Sequence, residues 1–168
     1  YTLRMLTAQQ FQRAATLICA LELLRHEDPR LRASPEFTIG LWVGSPSTPN
    51  SYAEAFATAK NLLSASEPDS PFQIAVCPWC GTPMFPRRRS SDLKAYGVRS
   101  TKHDFELFCT HDECPFAGAL PVLVVDEQIF ARPPTMLIAT VDKFARVPWV
   151  AGSGALFGRS NVPFDPPS

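Results

Sequence analysis

Apolar side chains recur at three- and four-residue steps from Phe11 through Ala14, Ile18 and Leu21 to Leu24, drawing one stripe along a helix that fades near His26. Thr7 and Gln10 have the reciprocal spacing of a capping box, which places the helix start at Thr7 and leaves residues 1–5 as the end of a strand. The period then changes. Residues 37–43 (FTIGLWV) form a short unbroken apolar run ending at Gly44, and Ser51 with Glu54 repeats the capping signature for a second helix to about Ala65. Residues 120–125 and 136–140 are again continuous apolar runs of the kind that strands covered on both faces display. Strand, helix, strand, helix predicts an α/β fold with a parallel sheet and crossover helices.

Between 72 and 119 the alternation stops and cysteines take over. Cys77-Pro-Trp-Cys80 and Cys109-Thr-His-Asp-Glu-Cys114 lie 28 residues apart, each in a turn-like setting. Two thiolates on one tight turn can aim at a single point, and two such turns supply the tetrahedral set that Zn²⁺ takes. Gly81 fits a knuckle that needs a positive φ. The expectation is a structural zinc site built from Cys77, Cys80, Cys109 and Cys114, contributing on the order of 10 kcal/mol to a loop-rich stretch. The competing reading is four buried or disulfide-linked cysteines. His111 is expected at the surface, and Cys19, inside the helical stripe, as a small core group. The chain therefore divides into residues 1–71 and 120–158 as two parts of one α/β unit, an inserted zinc ribbon over 72–119, and a proline-rich tail over 159–168.

Composition narrows the field modestly. The 168 residues are 45% hydrophobic and carry 16 basic against 16 acidic side chains, so global charge gives no sign of a polyanionic partner. No apolar run is long enough to span a membrane and no basic-then-apolar signal peptide is visible, which makes a reducing cytoplasmic setting the expectation. One local exception stands out. Between 87 and 102, Arg87, Arg88, Arg89, Lys94, Arg99 and Lys102 face the single acid Asp92, either as a solvated loop or as a phosphate-tracking patch with Trp79 or Phe85 to stack a base. Trp42 and Phe144 are expected in the core.

Open α/β sheets bind ligands beyond the carboxyl ends of their strands, and three such ends carry small, hydroxyl or basic residues: 1–10, 41–44 and 138–143. Taken in order, they resemble the first motor domain of superfamily 2 helicases. Arg4, Leu6 and Gln10 keep step with motif Ia, although Thr2-Leu3 replaces its usual Pro-Thr, and residues 138–143 look like motif Ib. The strings IGLWVG, TPN at 48–50 and TVDKFA at 140–145, around a CPWCG-type insertion, resemble more specifically the helicase-like proteins of DISARM antiphage systems. The resemblance covers residues 1–158. It implies an incomplete RecA-like domain from an ATP-dependent helicase or translocase. Arg4, Gly44, Thr140 and Lys143 would line a nucleic-acid strand, and proteins of a defence complex would be further partners.

No Gly-x-x-x-x-Gly-Lys-Ser/Thr occurs, so ATP and Mg²⁺ are expected only in a complete parent protein, and the chain reads as a fragment inactive alone. Leu123-Val-Val-Asp126-Glu127 imitates the second ATP motif, but it precedes Thr140 where the family's box follows motif Ib. The expectation is a strand ending in solvated carboxylates. The rival function is a zinc-stabilised interaction module with no motor role.

Overall fold

A computed structural model of the chain describes residues 2–43, 48–145, 147–150 and 152–158. Helix α1 spans Thr2–Glu27, so the strand expected over residues 1–5 is absent and Thr7 lies inside a helix rather than at its cap. The physical reason is local. Leu3, Arg4, Met5 and Leu6 are strong helix formers, and neither glycine nor proline interrupts the run before Pro29. Phe11, Ala15, Ile18 and Cys19 form the buried face of α1. Its end is tied to the next element by Glu22, which pairs with Arg25 at 2.9 Å and accepts the backbone N–H of Phe37.

Strand β1 (Ile39–Trp42) is buried along its whole length, and helix α2 (Tyr52–Ser64) follows. The Ser51 hydroxyl accepts the Glu54 N–H at 3.2 Å as the capping signature requires. The return bond differs: the Glu54 carboxylate takes the Asn50 N–H at 2.7 Å, one residue earlier than a standard box. Next come the antiparallel hairpin of β2 (Val98–Ser100) and β3 (Phe105–Leu107), then β4 (Val122–Leu123), α3 (Asp126–Ala131), β5 (Met136–Ala139) and α4 (Val141–Ala145).

The main sheet has the order β4-β1-β5 with both pairings parallel, Ile39 opposite Val122 on one side and opposite Met136 on the other. The fold is thus mixed α/β with a small parallel sheet. Two expectations are trimmed. The run over 120–125 yields only a two-residue strand before the chain turns into α3, and β5 is half-buried rather than covered, with Met136 38% exposed. As an edge strand of the order β4-β1-β5, β5 pairs on one side only.

The stretch over 72–119 does not stand apart from the sheet. Phe72, Tyr96, Phe105 and Leu107 belong to the same core cluster as Phe11, Ile18, Leu41 and Leu62, and the Gln128 side chain of α3 donates to the Phe105 carbonyl at 2.8 Å. A smaller cluster, Trp42, Leu123 and Ile129, lies across the sheet. The hairpin closes against Met84 through Gly97, whose N–H reaches the Met84 carbonyl at 2.6 Å and whose carbonyl accepts the Phe108 N–H at 3.0 Å. A Cβ at Gly97 would stand 2.5 Å from the Phe108 carbonyl oxygen, a backbone atom that cannot swing away. Gly97→Ala is therefore expected to lower unfolding free energy by about 1–3 kcal/mol in urea titration. Gly118→Ala, with nothing within 4 Å of the added methyl, should stay within about 0.5 kcal/mol of the parent.

Candidate metal centre and strand-end cleft

Each cysteine pair folds into a turn closed by backbone hydrogen bonds. In the first, the Cys77 N–H bonds the Thr82 carbonyl at 2.8 Å and the Gly81 N–H returns to the Cys77 carbonyl at 2.9 Å. Gly81 adopts φ +75, the left-handed conformation that glycine takes without a Cβ penalty. The second closes by other bonds: the Cys109 N–H reaches the Phe116 carbonyl at 2.9 Å, and the Cys114 N–H bonds the His111 carbonyl at 2.9 Å. The Thr110 hydroxyl donates to the Pro83 carbonyl at 2.8 Å and locks one knuckle to the other. Helix α1 braces the first from outside, with the Thr16 hydroxyl 2.8 Å from the Pro78 carbonyl.

The result brings all four sulfurs within 4.8 Å of one another, with Cys77 to Cys114 at 4.0 Å and Cys80 to Cys109 at 3.5 Å, and none of them in a disulfide. Four thiolates around a metal at about 2.3 Å stand roughly 3.8 Å apart at the corners of a tetrahedron. The residues fit the ion. The disulfide alternative has no support in this geometry, and His111 is exposed, outside the group of four. Burial opposes ionisation at Cys80, but hydrogen bonds from the Thr82 hydroxyl and N–H and from the neighbouring thiols prevail and bring its thiol down to about 6. Burial pushes Cys109 and Cys114 up. Cys19, fully buried on α1, is raised to about 12 by burial and then by the charges of Cys77 and Cys114, so it shares the field of the cluster without belonging to it.

A second constellation forms where the parallel strands end. Lys143 of α4 is buried, and its ammonium lies 2.6 Å from Asp126 Oδ2 and 3.4 Å from Asn50 Oδ1. The Trp42 indole N–H donates to the same Asp126 oxygen at 3.0 Å. Asp126 is buried too, so the solvated ending expected for this strand is corrected: its first carboxylate is enclosed by β1 and α4, and only Glu127 is exposed. Glu127 accepts the Tyr52 N–H at 2.9 Å at the start of α2. These groups, with Phe130 and Val150, line a cleft of about 490 Å³, and Asp126 Oδ1 has no hydrogen-bond partner among the described residues.

The residues expected along a nucleic-acid strand fare differently. Thr140 follows β5 beside Trp42, its N–H 3.2 Å from the Trp42 carbonyl, but its hydroxyl is buried without a partner among the described residues. The Lys143 ammonium is committed to Asp126. Arg4 lies within α1 with its side chain outside the described part, and Gly44 lies outside the described residues. Trp42 is in the core as expected, whereas Phe144 is 46% exposed, its ring edge-on to Trp42 at 6.0 Å. Sequence reading missed the Asp126–Lys143 pair. The available signal was a lone lysine two positions into a helix that begins where an apolar strand stops.

No protein-family model matches the chain. Over 167 residues, 96% of its length, the chain is 36% identical to the DISARM protein DrmA of Bacillus paralicheniformis. It is related to a DISARM protein. The match spans 14% of DrmA, so the chain corresponds to about one-seventh of that relative's length. Among the described residues no helix is long and apolar enough to cross a membrane.

Two measurements address the site. Protein prepared without chelator is expected to hold one zinc per chain by elemental mass spectrometry, to lose it in Cys114→Ser, and to keep it in Cys19→Ala, which should cost only about 1 kcal/mol. Lys143→Met strands a buried carboxylate and should destabilise by about 3–5 kcal/mol, while the double variant Asp126→Leu/Lys143→Met should recover most of that loss in denaturant titration.

Proposed function

We propose that this chain is the part of a DISARM-type nucleic-acid motor protein that joins a RecA-like sheet to a structural zinc ribbon. The observation that carries the reading is the 36% identity to DrmA along 96% of the chain, which runs through the parallel sheet and the cysteine cluster alike. In support, the sheet is parallel, and its carboxyl ends gather Trp42, Asn50, Asp126 and the segment 140–143 at one edge, where open α/β sheets receive ligands. Cys77, Cys80, Cys109 and Cys114 would hold Zn²⁺. When bound, the ion supplies folding free energy and no chemistry, since four thiolates leave no open coordination position.

In this reading Arg4, Gly44 and Thr140 follow the backbone of one strand, and Lys143 fixes the strand end through Asp126 rather than serving as a free phosphate ligand. Phosphate contacts of this kind position a strand without reading its sequence. The nucleotide-binding loop is not among these 168 residues, so ATP and Mg²⁺ would be held by other parts of a longer polypeptide in the cytoplasm. The rival, an interaction module without motor function, draws on the exposure of Trp149, 83% accessible, and Val141.

The test is ATP hydrolysis by a full-length protein carrying this segment, with and without single-stranded DNA. Hydrolysis stimulated by DNA is expected there and none from the 168 residues alone. Glu127→Gln, which keeps an acceptor for the Tyr52 N–H, should leave the rate within about twofold. Loss of hydrolysis in Glu127→Gln with the fold intact would make Asp126-Glu127 the ATP motif after all, and a full-length protein that neither binds DNA nor hydrolyses ATP would favour the interaction module.

A further inference from the structure

The run Arg87-Arg88-Arg89 is not explained by the cysteine cluster or the strand-end cleft, yet its placement is specific. All three arginines are exposed, and among the described residues none pairs with a carboxylate. The backbone beneath them is nonetheless tied at both ends. Met84 bonds the Ala75 carbonyl at 2.9 Å before the run. The Arg89 N–H reaches the Ser66 carbonyl beyond α2 at 3.0 Å, and the Ser90 N–H donates to the Tyr96 hydroxyl at 2.9 Å. Tyr96 itself is fully buried, so the loop is bolted to the core rather than draped over it.

The nearby acids do not neutralise the run. Asp92 is spent as a cap, accepting the Lys94 N–H at 2.9 Å, and Glu67 follows Ser66 at the tether. Arg87, Arg88, Arg89 and Lys94 against Asp92, Glu67 and Asp69 leave four positive and three negative charges, a net of +1. Elsewhere on the ribbon Arg99, by contrast, pairs with Glu106 at 3.2 Å and lies over the Phe108 ring. Three guanidinium groups on consecutive residues of one tethered loop repel one another in the free protein. A polyanion relieves that repulsion, and planar guanidinium forks match phosphate oxygens.

We propose that the Arg87–Arg89 loop of the ribbon is a docking surface for the phosphate backbone of single-stranded nucleic acid, distinct from the strand-end edge and sequence-independent in its contacts. The inference rests on the nucleic-acid reading above and locates a second contact for it. Because the loop is pre-ordered, little conformational entropy is lost when the strand arrives. Counterion release then governs its strength, and affinity falls steeply with salt.

The experiment is fluorescence anisotropy of a labelled oligothymidine with the 168-residue chain across a series of salt concentrations. Its variants are the triple Arg87→Gln/Arg88→Gln/Arg89→Gln and, as control, Arg13→Gln, an exposed arginine on α1. The triple variant, with unchanged circular dichroism and zinc content, is expected to weaken binding at least tenfold and to reduce the slope of log affinity on log salt by about 2, at roughly 0.7 per lost contact. Arg13→Gln should change neither. Binding by the parent chain that is unaffected by the triple substitution overturns the ribbon surface and leaves the motor reading standing. Absence of DNA binding by this chain overturns the ribbon surface, and its absence from a full-length protein as well overturns both readings. If poly-glutamate displaces the oligonucleotide at equal charge concentration and binds the chain as tightly, the surface fits an acidic protein instead and the proposal fails.

Discussion

Four thiols drawn within 4.8 Å of one another, none oxidised, are the constraint on which the rest of the molecule leans. Such a cluster is unfavourable for a bare chain once its members ionise, because like charges gather in a partly buried space. A cation at the centre reverses the sign of that interaction and converts four costs into four bonds. The surroundings already suit that outcome. Each knuckle is closed by its own backbone hydrogen bonds, Thr110 links one to the other, and Thr16 fastens α1 to the Pro78 carbonyl. Through Phe72, Tyr96 and Phe105 the ribbon then becomes part of the core that buries α1, β1 and α2.

The far side of the sheet is organised by a different interaction. Trp42 from β1, Asp126 from the start of α3 and Lys143 from α4 meet in one buried knot with bonds of 2.6 and 3.0 Å. A buried ion pair contributes little net stability, since desolvation offsets most of its attraction, but it strongly penalises any arrangement that separates the partners. Its effect is therefore geometric. It fixes where β5 ends relative to β4 across the intervening β1, and so defines the edge at which Asn50 and Glu127 line the cleft.

Much of this was legible in the residues, and the remainder was hidden for identifiable reasons. The knuckles could be read because metal ligation leaves a spacing rule in sequence, and α2 because Ser51 and Glu54 satisfy local hydrogen bonds regardless of tertiary context. The beginning of α1 could not. Helical and strand patterns look alike over a five-residue apolar stretch, and only the unbroken run of helix formers decides between them. Asp126 and Lys143 were misjudged because charged residues are normally solvated, and their pairing joins positions 17 apart whose proximity depends on the turn between α3 and β5. Nor could sequence show that the ribbon shares a core with the sheet, since that follows from packing between segments rather than from the pattern of either.

The pairing of Ile39 with Val122 carries a consequence for how the chain folds. These partners stand 83 residues apart, so β1 must wait for a long excursion to return before it finds its neighbour. Joining Cys77 to Cys114, 37 positions apart, takes that span out of the excursion and roughly halves the loop to be closed. Each halving of loop length saves about 0.6 kcal/mol of closure entropy, two- to threefold in the rate of a closure-limited step. Metal uptake thus becomes a kinetic event as well as a structural one: where zinc is scarce, the two halves of the sheet meet more slowly, and their unpaired edges stay open to other chains for longer.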